Sequence, residues 1–386
     1  MLKIIERPEL GRFMTFELSK EKPVHGWFWY KEGFAPELVQ WCMSRYKDDR
    51  GAAPATLLDP FCGVGTSLLA AKEAGVMSAG VDASPLAVFA SRTKTDDYEQ
   101  ADLEAALAFL SKRTDSVPQA DWQFELFSPR AAFPRRNYNE ILSLREAIEG
   151  EEGRTRNLLL LALLSVLPQA SIVVKDGGVL KIDKRKRAMP AREIFRRRVK
   201  RMVRDLAGRR QGFSPQVFLG DARALGMEGG SADMIVTSPP YLNNIDYSKV
   251  YGLELSLLSM SKAEAEEVRM RAIRSFIRTG DRKLETALPP EAGDTGSRIP
   301  IVGTYLRDME LSMAEMHRVL KAGGQCHINV SNSVIHETHV LVDEILAQMG
   351  LRLGFSDAEI VVGAERIADV RPQKVRTRES VVILRK

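Results

Sequence analysis

Thr56-Leu57-Leu58-Asp59-Pro60-Phe61-Cys62-Gly63-Val64-Gly65-Thr66-Ser67 is the stretch that decides how this chain folds. Ala55 to Leu58 has the apolar character of a buried strand, and Leu68 to Ala74 that of a helix ended by Gly75. Between them lies a glycine turn. Gly63 and Gly65 let the backbone approach a ligand closely, and the start of the helix offers free N–H groups. The spacing is not Gly-x-Gly-x-x-Gly, because no third glycine follows Gly65 at the right place, and no Gly-Lys-Ser/Thr follows, which excludes a P-loop. A second strand, Met77 to Val81, ends in Asp82. An acid at that strand end is placed to accept hydrogen bonds from ribose hydroxyls. Its alternative role is to cap the helix that begins at Ser84-Pro85.

The same rhythm returns late in the chain. Val217-Phe218-Leu219 is strand-like and ends at Gly220-Asp221-Ala222-Arg223; Ala232 to Val236 is a further apolar run ending at Thr237-Ser238-Pro239-Pro240-Tyr241. Two prolines lack N–H groups and fix φ, so they stop the strand and hold its end rigid. A hydroxyl, two constrained carbonyls and an aromatic ring are thereby presented at the carboxyl end of a strand, where open α/β sheets bind ligands. Taken alone, the five residues also fit a plain Pro-Pro loop. Helices are expected over Tyr251–Met260, Lys262–Thr279, Tyr305–Leu320 and Val340–Met349, and strands over Gln325–Val330, Ala358–Val362 and Ser380–Leu384. A mobile loop rich in Gly, Pro and acids is expected over Leu284–Ile299.

From about Asp96 to Pro215 the alternation stops. Leu103–Leu110, Asn139–Ile148 and Asn157–Leu167 have helical periodicity, and Val173 to Leu180 reads as a turn between short extended pieces. Arg192 to Leu206 places Ile194, Phe195, Val199, Met202 and Leu206 on one stripe and basic residues on the other faces. Between Lys181 and Arg210 there are 14 Lys/Arg against 3 Asp/Glu; the whole chain carries only +5, so the remainder is net acidic. Such a block, with few acids nearby to pair with, is the footprint expected for a polyanion.

Length and composition set the outer bounds. At 386 residues, 44% hydrophobic, the chain is large enough for one big domain with an insertion, or two domains. No apolar run is long enough to span a bilayer, and Met1 to Glu6 carries no signal-peptide pattern. Three separated cysteines offer neither a disulfide framework nor paired metal-ligand spacing, which suits a reducing cytoplasm. Near the start, Trp27-Phe28-Trp29-Tyr30 is four aromatics in a row, and Pro36 opens a helix to about Arg45. That stretch is either a staple onto the core or a wall of a cofactor pocket.

These motifs, in this order, resemble those of S-adenosylmethionine-dependent DNA amino-methyltransferases of the N4-cytosine/N6-adenine family. The resemblance rests on Asp59-Pro60-Phe61-x-Gly63-x-Gly65-Thr66, Asp82, Gly220-Asp221, Ser238-Pro239-Pro240-Tyr241 and Leu320-Lys321-x-Gly323-Gly324, with Trp27 to Val39 similar to the family's N-terminal pocket motif. It covers both ends of the chain but not the insertion. It implies an α/β, Rossmann-like class I methyltransferase fold with a mostly parallel seven-stranded sheet. The division it implies is 1–95 for the first part of the catalytic domain, 96–215 for a helical, basic insertion and 216–386 for the second part. Cofactor contacts would come from Phe34, Pro36, Asp59, Pro60, Phe61, Gly63, Gly65, Thr66, Asp82, Ala83, Asp221 and Ala222, with Asp82 on the ribose and Asp221 on the adenine amine. Ser238, Pro239, Pro240 and Tyr241 would be catalytic, and no metal is implied. DNA contacts are assigned by charge to Lys184, Arg185, Lys186, Arg187, Arg196 and Arg197.

In this family a serine at the first catalytic position goes mostly with cytosine, so Ser238 favours N4 of cytosine in double-stranded DNA with the base flipped out. N6-adenine methylation and RNA base methylation stay open, as does methylation of protein at an amide or amine. The implied setting is the cytoplasm, at the nucleoid, with a cognate restriction endonuclease as a further partner. Two rivals fail on the residues. A C5-cytosine enzyme needs a cysteine nucleophile, usually after proline, and no cysteine here follows one. His336-Glu337-Thr338-His339 lacks the residue that a helical zinc motif needs between its histidines and reads as polar residues at the surface after a strand.

Overall fold

The computed structural model describes residues 2–30, 33–112, 122–176, 178–208, 212–243, 245–259, 272–275, 288–370 and 373–386. The strands are β1 (Lys3–Glu6), β2 (Thr56–Asp59), β3 (Met77–Asp82), β4 (Val173–Asp176), β5 (Val179–Ile182), β6 (Gln216–Leu219), β7 (Ala232–Thr237), β8 (Leu320–Ser331), β9 (Ser333–Ile335), β10 (Thr338–Val340), β11 (Asp357–Val370) and β12 (Gln373–Arg385), the last two running well beyond the apolar runs at Ala358–Val362 and Ser380–Leu384. Eight of them make one sheet in the order β1-β11-β12-β8-β7-β2-β3-β6, in which only β12 runs against its neighbours. The expected Rossmann-like, mostly parallel sheet is present, but with eight strands instead of seven. The extra edge strand β1 pairs Lys3–Glu6 with Glu359–Val362; it is too short and too exposed to announce itself locally.

Period-2 alternation sends neighbouring residues to opposite faces. Leu57, Met234 and Val236 face the helix α1 (Pro36–Arg50), whose Leu38, Val39 and Cys42 are buried against them. Leu58, Ile235, Cys326 and Ile328 face the other layer, which holds two of the later helices, Pro300–Val319 and Val342–Arg352. Helix α2 (Thr66–Glu73) joins β2 to β3, α3 (Pro85–Thr95) follows β3, and α4 (Gln100–Phe109) opens the stretch 96–215. They are followed by α5 (Pro129–Ala132), α6 (Arg135–Glu149), α7 (Gly153–Ala170) and α8 (Ala191–Leu206). Alpha-helices α4, α6, α7 and α8 share one apolar core with Val64, Leu69, Leu86 and Ala90 of the cofactor-motif half. The stripe Ile194, Phe195, Val199, Met202 and Leu206 is buried in that core. Strands β4 and β5 form an antiparallel hairpin between α7 and α8.

Beyond β7 come α9 (Tyr247–Val250), α10 (Gly252–Ser259), α11 (Gly293–Arg298), α12 (Pro300–Val319) and α13 (Val342–Arg352). The stretch expected as a loop over Leu284–Ile299 is, in its described part, a 3-10 turn at Pro290–Ala292 followed by α11. Its apolar members Leu288, Ala292 and Ile299 pack on the α12 side of the core, which composition does not reveal. Most of the helix expected over Lys262–Thr279 lies outside the described residues. His336 and Glu337, with φ of 46° and 64°, form the tight turn of the β9–β10 hairpin.

Chain direction places the ligand site. From β2 the chain steps outward to β3 and β6, then returns to the opposite side of β2 with β7 and steps outward to β8. The crevice at the carboxyl ends of β2 and β7 is therefore the point where strand order reverses, the place where open α/β sheets hold ligands.

Candidate active site

The carboxyl ends of β2, β3, β6 and β7 open into one cavity of about 380 Å³. It is lined by Phe34, Asp59, Pro60, Phe61, Gly63, Thr66, Asp82, Ala83, Asp221, Ala222, Ser238, Pro239, Pro240 and Tyr241, among others. Fourteen of the sixteen residues assigned from sequence to the cofactor and the chemistry thus meet in one place. The other two stand behind it. Pro36 is buried at the first turn of α1, and Gly65 is the residue from which α2 starts.

The glycines are required by geometry. Gly63 and Gly65 have φ of 50° and 78°. A Cβ on Gly65 would lie 2.4 Å from Ser91 Oγ of α3, so this turn packs against the next helix with no room for a side chain. Asp82, at the end of β3, accepts from the N–H of Gly63 (2.9 Å) and of Ser84 (2.8 Å), tying the two turns together. The cap of α3 is Ser84, whose Oγ accepts from Ala87 N, so Asp82 is not spent on capping. Burial raises the Asp82 pKa against these bonds.

Asp59 is the buried hinge between the two motifs. Its Oδ1 accepts from Thr237 Oγ1 (2.6 Å) and Phe61 N (3.1 Å), and its Oδ2 from Ser67 Oγ. Thr237 immediately precedes Ser238, so the glycine turn and the Pro-Pro turn share one carboxylate. Burial pushes the Asp59 pKa up to about 6, against the hydrogen bonds from Ser67, Thr237 and Phe61. Asp221 is engaged twice over by Arg223, whose Nε and Nη2 reach its two oxygens at 2.9 and 2.7 Å. Arg223 and Arg274 both reach the buried Asp308 of α12 at 3.0 Å. That cluster pins Ile273 and Ser275 against the cavity, and it leaves Asp221 fewer lone pairs for an adenine amine than the sequence suggests.

The aromatic run divides its duties. Trp27 and Phe28 are core residues, and Trp27 Nε1 donates to Asp205 of α8 at 2.8 Å. Tyr30 lines the cavity and stacks on Tyr251, centroids 4.6 Å apart. Lys175 of β4 sits 3.7 Å above the Tyr251 ring, so the insertion hairpin reaches the cavity wall.

None of the six residues assigned to DNA lines the cavity. Lys184, Arg187 and Arg196 are exposed on the insertion. Arg185 forks onto Asp183, and Arg197 pairs with Glu193 at 3.2 Å. Lys186 folds inward and donates to the carbonyls of Pro168 and Val173, both at 2.5 Å, and burial lowers its pKa. All three acids of the block are taken, Asp183 by Arg185, Glu193 by Arg197 and Asp205 by Arg201, which leaves most of its 14 Lys/Arg without an acid from the block itself. Helical spacing and a tight turn set each of these acids beside an arginine.

Sequence reasoning missed Thr237 and Ser67 as partners of Asp59, Tyr251 as a wall, and Asn329 and Glu379, described below. A hydroxyl beside a catalytic motif was a usable signal for Thr237; the others are brought in by distant strands and helices. Among the described residues no group of His, Cys, Asp and Glu could hold a metal ion, and no helix is long and apolar enough to cross a membrane. All three cysteines are buried, and burial raises each thiol pKa.

No model of a known protein family matches the chain. Curated relatives do. The chain is 27% identical over 305 residues to the Type II methyltransferase M.BsoBI of Geobacillus stearothermophilus, covering 69% of this chain and 59% of that protein. It is 25% identical to the Type II methyltransferase M.AvaI of Nostoc sp., covering 91% of this chain and 83% of that protein. The chain thus spans about three-fifths of the first relative's length and most of the second's. Among solved structures, a SAM-dependent methyltransferase from Methanosarcina mazei aligns with a TM-score of 0.29 at 10% identity, too low to bear on the fold, which rests on strand order.

Proposed function

We propose that this chain transfers a methyl group from S-adenosylmethionine to the exocyclic amino group of a base in DNA at a specific sequence, and that the base is cytosine, methylated at N4. The observation that carries the proposal is that the Ser238–Tyr241 turn and the Gly63–Gly65 turn open into one cavity and share Asp59. The kinship with Type II methyltransferases supports DNA and a restriction-modification setting, with a cognate endonuclease as partner.

The donor set fits the methyl donor. Asp82 keeps lone pairs for the ribose hydroxyls, Asp221 lines the cavity with both oxygens already accepting from Arg223 and has fewer lone pairs for the adenine amine, and Asp59 and the glycine turn border the methionine end. When bound there, S-adenosylmethionine supplies a methyl already activated on a sulfonium. The residues then have to position the nucleophile. An exocyclic amine has its lone pair delocalised into the ring. Ser238 Oγ and the Pro239 carbonyl accept its two N–H groups and turn the nitrogen toward sp³, with its lone pair aimed at the methyl. Pro240 keeps that carbonyl from rotating. Tyr241 stacks on the base, which has left the duplex to enter. The exposed Lys184, Arg187 and Arg196 hold phosphates, and residues 96–215 form the recognition region.

The test is base-resolution mapping of methylation in DNA and RNA from cells expressing the protein, beside a Ser238→Ala variant. N4-methylcytosine at one short sequence, lost in the variant while cofactor affinity is kept, is expected. N6-methyladenine instead would overturn the choice of base, a mark confined to RNA the choice of substrate, and no mark the proposal as a whole.

A further inference from the structure

Tyr241 reaches out of the catalytic turn and back into the sheet. Its hydroxyl lies 3.0 Å from Glu379 Oε1 and 2.8 Å from Asn329 Nδ2. A phenol has one proton, and a carboxylate only accepts, so the proton is given to Glu379 and the oxygen accepts from the Asn329 amide. Asn329 lies on β8 and Glu379 on β12. The ladder pairs Asn329 with Val381 and Glu379 with Ser331, which makes the two side chains diagonal neighbours on one face of the sheet. Both are buried, at 3% and 5% exposure. The other oxygen of Glu379 is held by Arg366 of β11, from Nε at 3.1 Å and Nη2 at 2.8 Å. Arg366 is half exposed, on the part of the β11–β12 ribbon that runs on past the last β8 pair.

A buried carboxylate is costly unless a cation and hydrogen bonds compensate it. Sheet closure alone gives no reason to assemble Glu, Asn and Arg around one phenol. A ring that must lie flat on a base does give one: anchoring the hydroxyl fixes the long axis of the ring, and because conjugation keeps a phenol O–H in the ring plane, one donated and one accepted bond also set that plane. We propose that Glu379 and Asn329 are positioning residues for Tyr241. They clamp its hydroxyl, and so hold the ring, together with the Ser238 and Pro239 acceptors in the same turn, ready for the incoming base. This inference rests on the methyl-transfer reading above.

The test uses the full chain with Glu379→Ala, Glu379→Gln, Tyr241→Phe and the double variant Tyr241→Phe/Glu379→Ala. Single-turnover rate, KM for DNA and cofactor affinity are measured for each. Glu379→Ala is expected to lower the rate about ten- to a hundredfold, the scale of one hydrogen bond to a charged group, with cofactor affinity within about twofold of wild type. Glu379→Gln keeps an acceptor for the phenol and is expected to recover much of the rate. Adding Glu379→Ala to Tyr241→Phe is expected to cost little more, because the interaction is already gone. Multiplicative losses in the double variant, or an unchanged rate in Glu379→Ala, would overturn the clamp. If Glu379→Ala fails to fold, Glu379→Gln and Tyr241→Phe still decide.

A readout free of DNA separates this inference from the function it rests on. With tyrosine labelled at the ζ carbon, the resonance lost in Tyr241→Phe should move in Glu379→Gln. A resonance that stays in place refutes the clamp whatever the enzyme methylates. A wild-type chain that methylates nothing, with the resonance still moved in Glu379→Gln, refutes the function and leaves the clamp standing.

Discussion

Replacing Asp59 by asparagine tests the hinge of the site through its charge. The side chain is 1% exposed, and its hydrogen bonds to Thr237, Phe61 and Ser67 suit a carboxylate. An amide preserves most of that geometry: its oxygen takes the place of Oδ1, and its NH₂ faces Ser67 Oγ, which can rotate to accept. What disappears is a buried negative charge. The folded pKa of about 6 lies above the ordinary carboxylate value of 3.8, so the folded state holds this proton more tightly than the unfolded chain. Below the lower value both states are protonated, and the contribution to stability is complete. Between 3.8 and about 6 the unfolded chain ionises first, and stability falls as pH rises; above about 6 the loss is constant. At ~1.4 kcal/mol per pH unit, the gap amounts to about 3 kcal/mol. Urea unfolding of wild type and Asp59→Asn, at constant salt from pH ~3.5 to pH ~7.5, is the assay. The difference in unfolding free energy should move in favour of the asparagine variant by about 3 kcal/mol across that window, because groups that do not feel the Asp59 charge cancel in the difference. At neutral pH the variant should equal or exceed wild type in stability while binding S-adenosylmethionine more weakly. A difference that stays flat with pH, or moves the other way, would refute the argument that burial dominates Asp59.

Asp82→Ala should weaken cofactor binding and leave DNA binding near wild type; equal cofactor affinity by calorimetry would remove the ribose contact. Neutralising the exposed Lys184, Arg187 and Arg196 together should flatten the salt dependence of DNA binding by roughly one unit of logarithmic slope per lost phosphate contact. Lys186→Gln should instead lower thermal stability with little change in that slope, because its ammonium is tied to Pro168 and Val173. An unaltered slope in the triple variant would take this face out of the interface.

Much of the sheet and of the cavity was legible in the residues because their signals are local. Strand-length apolar runs ending in glycine turns or Pro-Pro mark β2, β3, β6 and β7, and the chemistry-bearing residues sit at their ends, within a few positions of each signal. Where a residue's role depends on a partner far along the chain, the residues were silent. Asp59 could be placed at the cofactor turn, but its bond to Thr237 spans 178 positions. The Lys181–Arg210 block could be counted, yet only packing turned Lys186 inward and left Lys184, Arg187 and Arg196 in solvent. The edge strand β1 exists because Glu359–Val362 offers an open backbone edge, not because Lys3–Glu6 demands a strand. Tyr241 is the clearest division. Its place beside two prolines was determined by sequence alone, through the fixed φ of Pro239 and Pro240. Its partners were decided by the tertiary structure, because hydrogen-bond partners depend on the strand register that sets Glu379 and Asn329 beside each other.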